Sequence, residues 1–198
     1  MRPFTNYNNV ASYTDSIKLP AGAYKIKIIR AEEQEGKNNS CALCILFDIV
    51  EGEFANFYHQ KFASEKKAYP KDAKYKGVFR LWYPNGNEYD ENNERKMKTA
   101  LERISESNNL NIDFTKEWDG AALKDCCVGM IFREQEYDYM GSHGFSAQPY
   151  GLITLSDLKD GNFKLPEPKY LNNSSQAQQT QTNTGYVDLT DDDDDLPF

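Results

Sequence analysis

Two stretches of this 198-residue chain carry residue types whose spacing could do chemistry. The first lies between Phe54 and Gly86. There Lys61, Lys66, Lys67, Lys71, Lys74, Lys76 and Arg80 stand against only Glu65 and Asp72, a net charge of +5. Interleaved with them are Phe54, Phe57, Tyr58, Phe62, Tyr69, Tyr75, Phe79, Trp82 and Tyr83. Cations neutralise phosphates, and exposed rings stack on unpaired bases at about 1–3 kcal/mol each. The mixture suits single-stranded nucleic acid, because a duplex would not need the rings. The same residues also suit a plain arrangement of core rings and a solvated lysine loop. That alternative fits Phe54, Phe57 and Phe79, which lack a polar tip. Tyr69 and Tyr75 lie in a Lys-rich stretch without strand pattern and are expected to bind; Trp82 fits either role. The expected contact set is Tyr58, Lys61, Lys66, Lys67, Tyr69, Lys71, Lys74, Tyr75, Arg80 and Trp82. Arg133 on a later strand and Phe145 in a Gly-flanked loop extend it.

The second stretch is the C-terminal tip, Asp191, Asp192, Asp193, Asp194, Asp195, Leu196, Pro197 and Phe198. An acidic run alone is usually a solvating tail. A solvating tail has no reason to finish on Leu-Pro-Phe, whereas a recognition tip does. Phe198 can fill a pocket while its carboxylate meets a basic group. Pro197 limits the unbound conformations, and the aspartates meet a basic rim.

Other candidate chemistry is weaker. Cys41 and Cys44 form a C-x-x-C, and Cys126 and Cys127 are adjacent. Zinc would want a second spaced pair or histidines, and His59 and His143 are the chain's two. Both cysteine pairs sit in apolar, strand-like runs, so ordinary reduced thiols are expected, with no metal and no cofactor. There is no Walker-type phosphate loop, G-x-S-x-G or H-E-x-x-H, so no enzyme is expected. The longest apolar run, Cys41 to Phe47, is far short of the ~20 residues that span a bilayer. The N-terminus shows no secretory pattern, which predicts a cytoplasmic protein.

The elements that must position these residues follow from periodicity. Tyr24 to Arg30 alternates as a strand after the Leu19-Pro20-Ala21-Gly22 turn. Cys41 to Val50 reads as a buried central strand. Phe54 to Phe62 reads as a third strand, followed by a loop over Ser64 to Gly77. Val78 to Tyr83 fits a strand or a helix. Met97, Ala100, Leu101 and Ile104 form one stripe of a helix over about Asn93 to Ser107. Asp90, Asn92 or Asn93 is expected to cap its start and Asn108-Asn109 to end it. Val128 to Phe132 and Pro149 to Leu155 complete five strands, with Tyr139 to Ala147 as the hairpin loop between them. Three strands, one helix and two strands is the order of an OB-fold, a five-stranded Greek-key barrel.

Charge divides the chain. Residues 171–198 hold six acids and no Lys or Arg, which leaves 1–170 with 23 basic and 25 acidic residues, a net −2 out of the total −8. Residues 172–184 offer Ala177 alone for packing, so 171–190 is expected to be a disordered linker between body and tip.

The tip closely resembles that of bacterial single-stranded-DNA-binding proteins, which end in an aspartate run followed by Ile- or Leu-Pro-Phe. The layout of OB-fold body, polar linker and tip is also similar. The Leu19-Pro20-Ala21-Gly22-Ala23-Tyr24 start and Trp118-Asp119-Gly120 are more like the diverged forms of phages and mobile elements of Gram-positive bacteria. The resemblance implies a chain that coats single-stranded DNA in a bacterial cell. Its tip would recruit replication, recombination and repair enzymes, and a homo-oligomer is possible. Two alternatives stay open: RNA as the polymer, and a DNA-mimic or interaction module whose tail alone binds partners.

Overall fold

The computed structural model describes residues 2–3, 5, 17–36, 40–86, 89–139 and 141–171. Five antiparallel strands form one open sheet: β1 (Gly22–Glu35), β2 (Cys41–Ile49), β3 (Val78–Trp82), β4 (Cys127–Tyr139) and β5 (Ser142–Ile153), in the order β3-β2-β1-β4-β5. Three helices accompany them: α1 (Phe57–Ala68), α2 (Asp90–Asn108) and α3 (Leu155–Asp160).

β1 joins the two halves of the sheet. Gly22 to Lys27 pairs with β4, while Ile26 to Glu35 pairs with β2. A bulge between Ile28 and Arg30 resets the register, so Ile29 and Arg30 both face outward. Before it, Ile26 and Ile28 meet Ile49 and Phe47 on the inner face; after it, Ala31 meets Ile45. Phe79 and Leu81 of β3, Val128, Met130 and Phe132 of β4 and Leu152 of β5 join them. Ala100, Leu101 and Ile104 of α2 cover this layer. Burial of that apolar surface is the main favourable contribution to folding.

α2 is tied to the sheet by polar groups as well. The Asn108 side chain donates to Cys127 O at 2.8 Å and accepts from Cys127 N at 2.9 Å. Ser107 Oγ accepts from Leu155 N at 3.1 Å, and the Arg103 guanidinium donates to Leu152 O. Asn109 ends the helix with φ 52°, a left-handed stop that Asn tolerates. The expected start differs. Tyr89 is the N-cap, and Asp90 instead accepts from Asn85 N and Gly86 N, closing the preceding turn.

The third strand is not where the sequence placed it. Phe54 to Phe62 enters α1 rather than a strand, and the first part of the expected loop continues that helix to Ala68. Phe57, Tyr58 and Phe62 are spaced for a helix face, and a distant group begins the helix. Asp48 of β2 accepts from Tyr58 N at 3.0 Å and from His59 N at 2.9 Å. A carboxylate at a helix N-terminus satisfies orphan donors and favours the macrodipole. β3 is then Val78–Trp82, which settles the ambiguous segment as a strand. Gly77 permits its entry, since a Cβ there would lie 2.3 Å from Phe47 O.

The fourth and fifth strands are longer than expected. The loop over Tyr139 to Ala147 is mostly paired strand, with register from Gly129↔Ile153 to Tyr139↔Ser142. Gly141, at φ +78°, supplies the tight turn. The Trp118-Asp119-Gly120 segment opens a 3₁₀ turn over Gly120–Leu123, where Asp119 accepts from Ala121 N. Gly120 packs directly on β1, with no room for a Cβ beside Ala31 O at 2.3 Å.

Candidate nucleic-acid interface

The outer face of β1, β2 and β3 is laid out by their register. Across the three strands the outward rows read Gln34–Ala42–Trp82, Glu32–Cys44–Arg80 and Arg30–Leu46–Val78. The central strand carries small residues in the first two rows, and the flanking strands carry long ones. This makes a shallow valley whose small floor residues, Ala42 and Cys44, are covered by the flanking side chains, only 2% and 1% exposed. Arg30, Glu32 and Gln34 form one wall, and Arg80 and Trp82 the other.

The walls are electrostatically organised. Arg30 is paired with Glu32, and Gln34 Nε2 donates to Glu32 Oε1 at 3.1 Å. The Arg80 guanidinium lies by the Cys44 sulfur. Burial pushes the Cys44 thiol up, and the Arg80 charge offsets that only in part. Arg80 Nε is itself buried with no hydrogen-bond partner. The rest of the guanidinium hydrogen-bonds the Cys44 sulfur, which holds the side chain flat on the sheet. Trp82 closes one end of the valley beside the β1–β2 turn, where its ring would lie 3.7 Å from a Cβ built on Gly36.

At the other end stand α1 and the loop into β3, with most of the basic charge. Lys66, Lys67, Lys71 and Lys74 are exposed. Lys66 lies over the Phe62 ring at 5.6 Å, and Lys61 over Phe57 at 5.8 Å. Burial, then the neighbouring charge of Lys76, lowers the Lys61 pKa. Lys76 is paired with Glu65 at 2.8 Å. Tyr69 is 67% exposed and free to stack.

Tyr58 and Tyr75 do not offer the rings expected of them. Tyr58 is 6% exposed, edge-on to Phe47 at 5.3 Å and stacked on Phe132 at 6.5 Å. Tyr75 is half-buried against Tyr58 and Phe62, and its hydroxyl donates to Phe47 O at 3.0 Å. Burial, then the Asp48 charge, pushes both phenols up. Tyr58 seats α1 on the sheet with no free face for a base, and Tyr75 is partly covered by Tyr58 and Phe62. Phe54, Phe57 and Phe79 pack against the core, as their apolar character suggested.

The β4–β5 hairpin carries the remaining expected residues. Arg133 lies over the Tyr150 ring at 5.0 Å on the outer face. Phe145 is in strand β5 rather than in a loop, 37% exposed, and edge-to-face with Tyr170 at 5.8 Å. Glu134, Glu136 and Asp138 outnumber Arg133 along β4, so the hairpin offers rings more than phosphate cations. The sequence did not single out Arg30, Tyr150 or Tyr170. The Ile29 bulge turns Arg30 outward and nothing local announces it, whereas Tyr150 stands at a second bulge beside Pro149.

The cysteines share no site. Cys41 and Cys44 leave opposite faces of an extended strand, Cys126 packs into the core just before β4 begins at Cys127, and all four are free thiols. Among the described residues no group of three His, Cys, Asp or Glu is placed to hold a metal ion. A cavity of about 350 Å³ by α3 is lined by Lys25, Glu51, Leu155, Leu158 and Lys159. Its one carboxylate, Glu51, is paired with Lys25 at 3.2 Å, so it brings no acid–base pair together. No helix among the described residues is long and apolar enough to cross a membrane. The linker 172–190 and the tip Asp191 to Phe198 lie outside the described residues. The chain matches no family model and no curated protein.

Proposed function

We propose that this chain is an OB-fold protein that binds single-stranded DNA without strong sequence preference. The strand would run along the valley between β1 and β3. The tip Asp191 to Phe198 would recruit replication, recombination and repair enzymes in the cytoplasm of a bacterial host. The sheet order supports the fold assignment. β1, β2 and β3 form a meander, β1 is shared between β2 and β4, and α2 follows β3. This is an OB barrel's order with its closing β3–β5 pair left unmade. OB-folds bind oligonucleotides on the face of strands 2 and 3, flanked by the loops after strands 1 and 4. The valley lies on that face, and Trp82 stands beside the first of those turns.

The observation that carries the proposal is the Arg80–Trp82 wall. A half-buried guanidinium and an indole stand two residues apart on one face of β3, beside the small residues Ala42 and Cys44. The guanidinium charge would attract a phosphate and the indole would take a stacked base. Exposed cations on α1 extend the electrostatic track. Arg80→Ala and Trp82→Ala, each in the full chain, test it by anisotropy with a fluorescent oligo-dT. Each is expected to weaken binding about 5- to 100-fold, from ~1–3 kcal/mol per contact. Arg80→Ala should also reduce the salt slope by about one. Wild-type affinity in both variants would remove the valley as the site.

A further inference from the structure

The β4–β5 hairpin projects past the body of the sheet. The last β1–β4 pair is Gly22↔Phe132, so from Arg133 onward β4 and β5 continue as a two-stranded arm. A lone two-stranded ribbon is marginal in water, and its unpaired edges invite further strands.

The two edges of this arm are treated differently. The β4 edge is covered by the chain's own returning segment. Lys169 N donates to Glu134 O and Glu136 N donates to Lys169 O, both at 2.8 Å. The Glu136 carboxylate is buried; it accepts from Leu171 N at 3.0 Å and meets His143 Nε2 at 2.6 Å. Among the described residues no strand pairs with the β5 edge. Ser142 to Gln148 contains no Lys, Arg, Asp or Glu, the residues that usually guard an open edge. Pro149 and the bulge at Tyr150 end the stretch, so the open edge is seven residues with a defined stop.

We propose that two copies of this chain pair through this edge. The β5 strands would run antiparallel about a twofold axis near Phe145, giving a four-stranded ribbon β4-β5-β5-β4. A second copy is the occupant the chemistry favours. An edge whose one ionisable side chain, His143, is turned onto its own Glu136 meets its own copy without repulsion, and the acids of β4 stay one strand back on either side. Twofold symmetry makes the patch self-complementary and closes the assembly at two. The proposal stands whether or not the body binds DNA.

Light scattering and sedimentation on the full chain test it. The wild type is expected at twice the 22.7 kDa chain mass at micromolar concentration. Ser146→Lys and Ser146→Asp place like charges diagonally across the axis, and each alone should raise the dimer dissociation constant about tenfold or more. Mixing the two variants should restore the dimer, an outcome that a folding defect would not give. A monomeric wild type overturns the proposal. So do variants that associate like the wild type, or a mixture that stays monomeric while both variants keep the wild-type circular dichroism.

Discussion

Cys41 and Cys44 illustrate how far a residue pattern can be read. Spacing of three brings cysteines together on a helix or in a turn, but on β2 it sends them to opposite faces. The apolar surroundings were visible in the sequence and pointed to structural thiols. Their energetics follow from position. Burial first, then Glu33, pushes the Cys41 thiol up to about 11. A raised thiol pKa leaves little thiolate at neutral pH, and the thiolate is the reactive form. At pH 8 the native Cys41 thiolate fraction is therefore expected to be about a hundredfold below that of an ordinary thiol, slowing its reaction with a disulfide-exchange reagent. All four thiols are expected to react quickly once the chain is denatured, and a rapid native phase assigned to Cys41 would contradict its placement. Arg80 was legible as a charge among rings. Its buried, unpartnered Nε was not, because that depends on Cys44 and on the register with β2.

At the scale of elements, α1 was the main misreading, and the reason is physical. Its start is set by Asp48, across a turn and on another strand, which no local window includes. The ring spacing alone fits two periods over nine residues. The long helix was legible because its apolar stripe repeats over several turns. β4 and β5 were found but shortened, since their outer halves form an arm with little core to bury. Placing the lysines on α1 and its exit loop sharpens what they should do. Lys66, Lys67, Lys71 and Lys74 are exposed, so converting them to Glu should leave thermal stability nearly unchanged. Each is then a phosphate contact or nothing. The fourfold variant is expected to weaken oligo-dT binding about a hundredfold or more at low salt, with a shallower salt slope. Unchanged affinity, measured alongside an unchanged melting curve, would move the basic track elsewhere.

For the whole molecule, a mainly β chain with a long helix before its last two strands was legible in the sequence, as was the division of charge, but the third strand was placed one element too early. A net −8 is a sum over a body at −2 and a C-terminal segment at −6. The body gathers six lysines on α1 and the loop into β3, against Glu65 and Asp72, while β4 beyond Phe132 carries Glu134, Glu136 and Asp138. Such a surface can attract a polyanion locally while the chain as a whole is acidic. The proposed valley has a floor of small side chains and a wall that ends on an indole, a combination that would favour unstacked bases over a duplex. A salt-dependent titration of the full chain with oligo-dT and with a duplex of equal length, followed by Trp fluorescence, tests this most directly. The account predicts quenching and tight binding for the single strand, affinity falling linearly on a logarithmic salt scale, and much weaker binding of the duplex. Equal affinity for the two, or binding that ignores salt, would contradict it.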